Sequence, residues 1–162
     1  MRLVALVAFV LALAACGGTY EGTGSMIPTS DPGETNGRMF DFVTDKPDGD
    51  DWQSRGRVTS MWVAHSEDTK TDDLGGAKNL TEDESVKLWN LIDALDLPSR
   101  KAGKRDHAHG TVTLRLREPT DSGPHDVYTV YVARDTDDDD VQALDTYLTE
   151  LVSTHFSAKA TF

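Results

Sequence analysis

The stretch Gly110–Ala133, GTVTLRLREPTDSGPHDVYTVYVA, decides the fold. Apolar residues alternate with polar ones in Gly110–Glu118, and Tyr128, Val130 and Val132 occupy every second position of Val127–Ala133. Successive side chains of a strand point to opposite faces, so each half predicts a strand with one apolar face. The intervening Pro119–Pro124 is rich in turn-forming residues, which favours a hairpin. The residues predicted to face the core are Val112, Leu114, Leu116, Tyr128, Val130 and Val132.

Two amphipathic helices are predicted on either side of this hairpin. Thr81 and Glu84 have the spacing of a capping box, and leucine and isoleucine then recur at intervals of three and four until Pro98, which is expected to end the helix. After the hairpin, the acidic run Asp137–Asp140 suits the start of a second helix, whose apolar stripe continues to Phe156.

Two further strands are predicted nearer the N-terminus, at Met39–Val43 and at Arg57–His65. The second has apolar residues on both faces, which is typical of a central strand or of one covered by a second layer. Residues 66–80 are polar and are predicted to form a loop. The element order β-β-α-β-β-α predicts an α+β fold, in which an antiparallel sheet of about four strands packs two amphipathic helices on one face.

The first fifteen residues differ from the rest of the chain. Arg2 is followed by thirteen apolar residues, Leu3 to Ala15. A helix of that length reaches about 20 Å, which is too short for a hydrocarbon core of ~30 Å. A basic residue, a short apolar run and then small residues are the layout of a secretory signal, so residues 1–15 are predicted to be a signal peptide.

The end of this segment, Leu13-Ala14-Ala15-Cys16-Gly17, resembles the lipobox of bacterial lipoproteins. The resemblance implies cleavage before Cys16, a diacylglycerol on its thiol and acylation of the new amine. The protein would then be anchored to a bilayer in the cell envelope, and glycine at position 17 favours the outer membrane if the host has two. No cofactor other than this covalent lipid is implied. The alternative is that Cys16, the sole cysteine, is a free thiol.

The rest of the chain divides into a tether and a domain. Residues 16–37 are rich in Gly, Thr, Ser, Pro, Asp and Asn, a composition that predicts a flexible tether. Residues 38–162 are predicted to form one small acidic domain. The formal net charge of −12 opposes contact with phosphate backbones, so nucleic acid is excluded as a partner.

Two histidines precede the first strand of the hairpin. His107 and His109 would share one face of an extended chain, and continuing the hairpin pairing outward would bring them near Asp135 and Asp137. Imidazole and carboxylate groups are zinc ligands, so these four residues form a candidate metal site. The alternative is a pair of exposed histidines at the strand entrance, which the basic residues nearby favour.

Two features are candidates for a binding surface. Arg100, Lys101, Lys104 and Arg105 form a basic run on an acidic chain, which is either a docking site for an anionic partner or a solvated loop. Trp52 is predicted to lie in a loop, where an aromatic ring is available to stack on a sugar. The other two tryptophans, Trp62 and Trp89, are predicted to be core residues.

No catalytic residue is assigned. The chain has no G-x-S-x-G motif and no Gly-rich phosphate loop, and its one cysteine is predicted to carry lipid. We therefore expect a lipid-anchored, non-catalytic binding domain that contacts an envelope protein or polymer. Two alternatives remain open. One is a metal-assisted hydrolase using His107 and His109, and the other is an envelope inhibitor or immunity-type protein whose acidic surface attracts a basic partner.

Overall fold

The structure, a computed structural model, describes residues 37–47, 52–67, 76–121 and 123–156. The predicted signal peptide, Cys16 and nearly all of the predicted tether lie outside the described residues. The described chain contains β1 (Met39–Asp45), β2 (Trp52–Thr59), β3 (Trp62–Glu67), β4 (Ala77–Asn79), α1 (Glu82–Ala94), β5 (Thr111–Thr120), β6 (Gly123–Ala133) and α2 (Asp139–Phe156).

The strands form one antiparallel sheet in the order β4-β3-β2-β1-β5-β6. The first strand of the domain therefore lies inside the sheet, between β2 and β5. The α+β class, the antiparallel sheet and the two helices are confirmed. The prediction of about four strands is wrong, because the sheet has six.

The hydrophobic core lies between the helices and one face of the sheet, here called the helix face. The strand register places Phe40 opposite Val58 on one side and opposite Leu116 on the other, and all three are buried. Leu88 of α1 and Leu144 of α2 are fully buried in the same cluster. Within the described residues, neither helix is both long and apolar enough to cross a membrane.

The first helix begins as the sequence predicts. The Thr81 side chain accepts a hydrogen bond from the backbone N–H of Glu84, and the Glu84 carboxylate accepts one from the backbone N–H of Thr81 at 2.8 Å. The helix ends at Ala94, before Pro98 is reached, and Asp96 has a left-handed backbone with φ of 46°. The chain therefore leaves the helical conformation in the turn that contains Asp96, and not at Pro98.

The β5–β6 hairpin is confirmed, with Leu114 opposite Val130. Its strands are longer than predicted, and only residues 121–122 separate them. Pro119 lies where the register shifts between Glu118 and Thr120, a position that tolerates a residue without an N–H. All six residues predicted to face the core are buried in it or packed against it.

The prediction of one continuous strand over Arg57–His65 is wrong. The chain reverses at residues 60–61, and Ser60 has a left-handed backbone with φ of 44°. The reversal places Val58 directly opposite Val63 on the helix face, although five positions separate them. The apolar residues on both sides of the predicted strand therefore arise from two strands.

The segment predicted as a loop over residues 66–80 contains the short edge strand β4, which pairs with β3. The hairpin turn between β2 and β3 is held by the first helix, since Trp89 Nε1 donates to the Ser60 carbonyl at 2.8 Å. Met61 accepts from the backbone N–H of Leu80 at 2.8 Å. These contacts connect the edge of the sheet to the start of α1.

Candidate functional site

The sheet face directed away from the core, here called the outer face, is rich in arginine. Strand alternation and the antiparallel register determine which residues lie on it. They include Asp41, Val43, Arg55, Arg57, Trp62, Thr113, Arg115, Arg117, Val127 and Tyr131. This concentration of guanidinium groups contrasts with the net charge of −12 on the whole chain.

Asp41 is the acidic centre of the outer face. It lies on β1 between its cross-strand partners Arg57 and Arg115, and it is only 3% exposed. Arg57 Nε donates to Asp41 Oδ1 at 2.7 Å, and the Arg55 guanidinium donates to the same oxygen at 3.4 Å. Two arginines therefore neutralise one buried carboxylate and leave an excess of positive charge around it.

A pocket of about 350 Å³ opens beside this cluster. Its lining residues come from three adjacent strands and from the segment before β5. They are Asp41, Val43, Asp45, Arg55, Arg105, Thr113 and Arg115. The pocket combines guanidinium, carboxylate and hydroxyl groups with an apolar wall at Val43.

Arg105 reaches the pocket because the chain before β5 runs along the edge of β6. The backbone N–H of Tyr131 donates to the Ala102 carbonyl at 2.8 Å. Gly103 has φ of +68°, and a Cβ added there would lie 2.2 Å from the Tyr131 carbonyl oxygen. This close approach requires glycine. Two residues later the chain reaches Arg105, whose guanidinium lies 5.5 Å from the centre of the Tyr131 ring and 3.8 Å from Asp45.

Two polar groups in the pocket lack partners among the described residues. The hydroxyl of Thr113 is buried and makes no hydrogen bond in the described part of the chain, and Thr113 is 9% exposed. The Arg115 side chain is exposed and forms no ion pair with a described residue. Arg57 and Arg55, by contrast, are engaged with Asp41.

The predicted metal ligands do not form an extended pair. Residues 107–109 form a turn, because the Asp106 carboxylate accepts from the backbone N–H groups of Ala108 and His109 at 3.0 and 3.1 Å. His109 Nδ1 also lies 3.0 Å from this carboxylate, and the hydrogen bonds to His109 lower the pKa of Asp106. The expected extended geometry for His107 and His109 is therefore wrong.

Both imidazoles are exposed, as are Asp135 and Asp137. Among the residues that the structure describes, no three His, Cys, Asp or Glu side chains are grouped closely enough to hold a metal ion. The four predicted ligands are thus not brought together as a site.

The predicted basic run divides into three roles. The Arg100 guanidinium pairs with Asp138, and its Nε donates to the Leu95 carbonyl. Asp138 in turn accepts from the backbone N–H groups of Asp140 and Val141 at 3.2 Å, so Arg100 supports the start of α2. The hydrogen bond from Arg100 lowers the pKa of Asp138. Only Arg105 lines the pocket, whereas Lys101 and Lys104 are exposed outside it.

The tryptophans differ from expectation at two positions. Trp52 is the first residue of β2, opposite Asp45, so its predicted place in a loop is wrong, and its side chain lies outside what the structure describes. Trp89 is fully buried, as predicted. Trp62 is 45% exposed on the outer face, so its predicted place in the core is wrong. The reversal at residues 60–61 directs it there.

A second pocket, of about 220 Å³, lies between the sheet and the start of α2. Phe42, Val112 and Val141 give it an apolar lining, and Asp145 and Arg134 contribute charge. Burial raises the pKa of Asp145, although the positive charge of Arg134 opposes the rise.

A serine–histidine pair also lies in the sheet. Ser54 Oγ is 3.1 Å from His65 Nε2, and the His65 ring packs edge-on against Phe156. Ser54 is fully buried and His65 is 7% exposed. A nucleophile must reach its substrate, whereas this pair is a buried hydrogen bond on the helix face of the sheet.

Comparison of the chain with protein-family models and with curated proteins gave no match.

Proposed function

We propose that the protein is a lipid-anchored, non-catalytic binding domain of the bacterial cell envelope, and that its outer face is the binding surface. The observation that supports this role is the pocket lined by Arg55, Arg105 and Arg115 on the face not used for the core. Positive charge is concentrated in one concave region of a protein that is strongly acidic overall. An anionic partner is therefore attracted to that region and repelled by the rest of the surface.

The chemistry of the pocket favours binding over catalysis. Guanidinium groups stay protonated at all physiological pH values, so Arg55, Arg105 and Arg115 donate hydrogen bonds but do not accept protons. The Asp41 carboxylate is already engaged by Arg57 and Arg55. Asp45, the other carboxylate of the lining, lies 3.8 Å from the Arg105 guanidinium. A ligand is therefore held mainly by charge and hydrogen bonds.

Cys16 supplies the anchor in this proposal. Two or more acyl chains hold a protein stably to a bilayer, at about 0.8 kcal/mol per buried CH₂. The predicted tether of residues 16–37 has a root-mean-square span of roughly 25 Å on the scaling for flexible linkers. The domain would thus reach partners beyond the lipid headgroups.

The anchor is tested by fractionating cells of the native host that express the full chain or its C16S variant. The wild-type protein is expected to sediment with the membrane fraction and to incorporate labelled palmitate. The C16S variant is expected to lose both properties. Equal sedimentation of the two proteins with membranes would contradict the anchor.

The binding surface is tested by brief formaldehyde crosslinking in intact cells. Neutralising the pocket with R105Q and R115Q together should lower the yield of crosslinked adducts by about tenfold, the equivalent of roughly 1.4 kcal/mol. The matched control is K87Q, which removes a charge from the exposed side of α1, where Lys87 is 59% exposed. Adduct yields that are the same for all three proteins would contradict the outer face as the binding surface.

A further inference from the structure

We propose that the pocket beside Asp41 binds the carboxylate of a small organic monoanion. This inference rests on the proposed function, because it names the ligand class of the same outer face. Four features of the described lining support it: the charge balance, the position of Arg115, the buried hydroxyl of Thr113 and the size of the cavity.

The charge of the lining attracts an anion. Three guanidinium groups, on Arg55, Arg105 and Arg115, face two carboxylates, on Asp41 and Asp45. The lining has a formal excess of one positive charge, and Arg57, which pairs with Asp41 from outside the lining, adds another. This positive charge attracts an anion, while the ring-sized cavity and its apolar wall at Val43 favour an organic carboxylate over inorganic phosphate.

Arg115 is placed to hold the carboxylate. It is the cross-strand neighbour of Asp41 on β5, but its guanidinium forms no ion pair with a described residue. The planar fork of a guanidinium fits the two oxygens of a carboxylate in a bidentate arrangement, which a point charge cannot match. The Asp41 carboxylate, already bound by Arg57 and Arg55, leaves this fork available.

Thr113 supplies a hydroxyl that the fold does not use. It lies two residues before Arg115 on the same face of β5, so the two side chains are about 7 Å apart along the strand. A buried hydroxyl without a partner destabilises the free protein, and a ligand oxygen that bonds to it would remove that cost. The buried, unsatisfied oxygen of Thr113 therefore points to a ligand that completes the site.

The cavity has room for a ligand that contains about one sugar-sized ring. Its volume of about 350 Å³ lies near the lower limit for small-molecule sites, which begin at roughly 300 Å³. Val43 provides an apolar contact, and Asp45 provides an acceptor for a ligand hydroxyl. A hydroxylated, ring-sized monocarboxylate fits this combination.

Isothermal titration of the full lipidated chain in zwitterionic micelles tests the inference, with D-glucuronate as the probe. Glucuronate is expected to bind at one site per chain, and glucose, which has the same ring without the carboxylate, is expected to give no saturable heat. Inorganic phosphate is expected to bind at least tenfold more weakly than glucuronate. Saturable binding of glucose, or tighter binding of phosphate, would overturn the monocarboxylate.

Variants locate the site. R115Q is expected to weaken glucuronate binding by at least tenfold, and R115K, which keeps the charge but loses the fork, by about threefold or more. T113V is expected to weaken binding by about threefold or more, while the melting temperature of the free protein stays at or above the wild-type value, because the substitution removes an unpartnered buried hydroxyl. The matched control is R117Q, on the same strand and face but outside the pocket, which should leave the affinity within about twofold. An equal loss in R115Q and R117Q would indicate general charge attraction and overturn the site.

A membrane surface is the other anionic partner that this face could meet. Phosphatidylglycerol vesicles that bind the C16S protein, with equal losses in its R115Q and R117Q variants, would overturn the pocket in favour of headgroup docking. Absence of glucuronate binding, together with crosslinked adducts that still depend on the outer face, would overturn the monocarboxylate but leave the binding domain standing. If glucuronate binds as expected but the wild type and the charge-neutralised variant give equal yields of crosslinked adducts, the proposed function is contradicted instead.

Discussion

Arg57 Nε donates a 2.7 Å hydrogen bond to Asp41 Oδ1 across the β1–β2 strand pair, on the sheet face opposite the core. The Asp41 carboxyl is almost completely buried, while the Arg57 side chain is 30% exposed. An ion pair in this position neutralises the acid at the centre of the outer face. It therefore contributes to the charge around the adjoining pocket, and breaking it would leave a buried charge without its partner.

Removing the Asp41 charge should destabilise the domain. In D41N, Arg57 and Arg55, of which Arg55 is 9% exposed, would lose the Asp41 carboxylate that both contact. Breaking one side of a buried ion pair costs about 3–5 kcal/mol, and the partial exposure of Arg57 reduces this to about 2–4 kcal/mol. Urea unfolding measures the change.

The control for this substitution is D121N, which removes the same charge from an exposed turn residue. We expect it to change the free energy of unfolding by no more than about 0.5 kcal/mol. Equal unfolding free energies for D41N and D121N would show that the Asp41 cluster does not stabilise the sheet.

Arg100 should be required for folding stability, unlike its basic neighbours. R100A removes the partner of Asp138, which accepts from the first N–H groups of α2, and the hydrogen bond to the Leu95 carbonyl. The expected loss is about 1–2 kcal/mol in the free energy of unfolding. K101A and K104A alter exposed side chains and should stay within about 0.5 kcal/mol of the wild type. Similar losses in all three variants would refute a structural role confined to Arg100.

Asp145 should make stability decline as the pH rises. Burial raises the pKa of Asp145 above its ordinary value of 3.8, so the folded state holds its proton to higher pH than the unfolded state does. Stability from this group is present below the unfolded pKa and decreases as the pH rises through the folded pKa. The D145N variant lacks this titration.

To test this, the free energy of unfolding of the wild type and of D145N is measured at about pH 3.5 and at about pH 7. The wild type should lose stability relative to D145N between these values. The buried Oδ1 of Asp145 has no hydrogen-bond partner among the described residues, which also favours the protonated carboxyl and thus a raised pKa. A difference that is independent of pH would exclude the raised pKa.

Gly103 should tolerate no side chain. It combines φ of +68° with a Cβ position 2.2 Å from the Tyr131 carbonyl oxygen, so G103A forces the segment before β5 away from β6. The expected cost is at least about 2 kcal/mol. Gly76 is the matched control, because it has φ of +91° but nothing within 4 Å of an added Cβ. G76A should cost only the backbone strain, about 1 kcal/mol. If urea midpoints shift equally in the two variants, the close approach to Tyr131 has no energetic effect.

The parts of the fold predicted from the sequence are those determined by local patterns. The alternation around Leu114 and the capping box of Thr81 and Glu84 need only neighbouring residues, and both are confirmed. The sequence does not predict the reversal at Ser60, because Ser60-Met61 is not one of the Asn-Gly, Asp-Gly or Gly-containing pairs typical of two-residue hairpin turns, and Ser60 is a non-glycine residue with a left-handed backbone. The apolar pattern therefore resembled one strand.

The candidate site depends on strand order, which local patterns do not determine. Asp41 meets Arg57 and Arg115 only because β1 lies between β2 and β5 in the sheet. One signal was available in the sequence: Asp41 stands between the apolar residues Phe40 and Phe42, where strand alternation predicts a charged residue facing away from the core. Its arginine partners could not be chosen without the register.

A crystal structure of the C16S protein grown with D-glucuronate tests the central claim most directly. The account predicts density for the sugar in the pocket beside Asp41, with its carboxylate bidentate on the Arg115 guanidinium and an oxygen within hydrogen-bonding distance of Thr113 Oγ1. A glucuronate that binds in solution but occupies another surface in the crystal, leaving Arg115 and Thr113 without contact to it, would contradict the account.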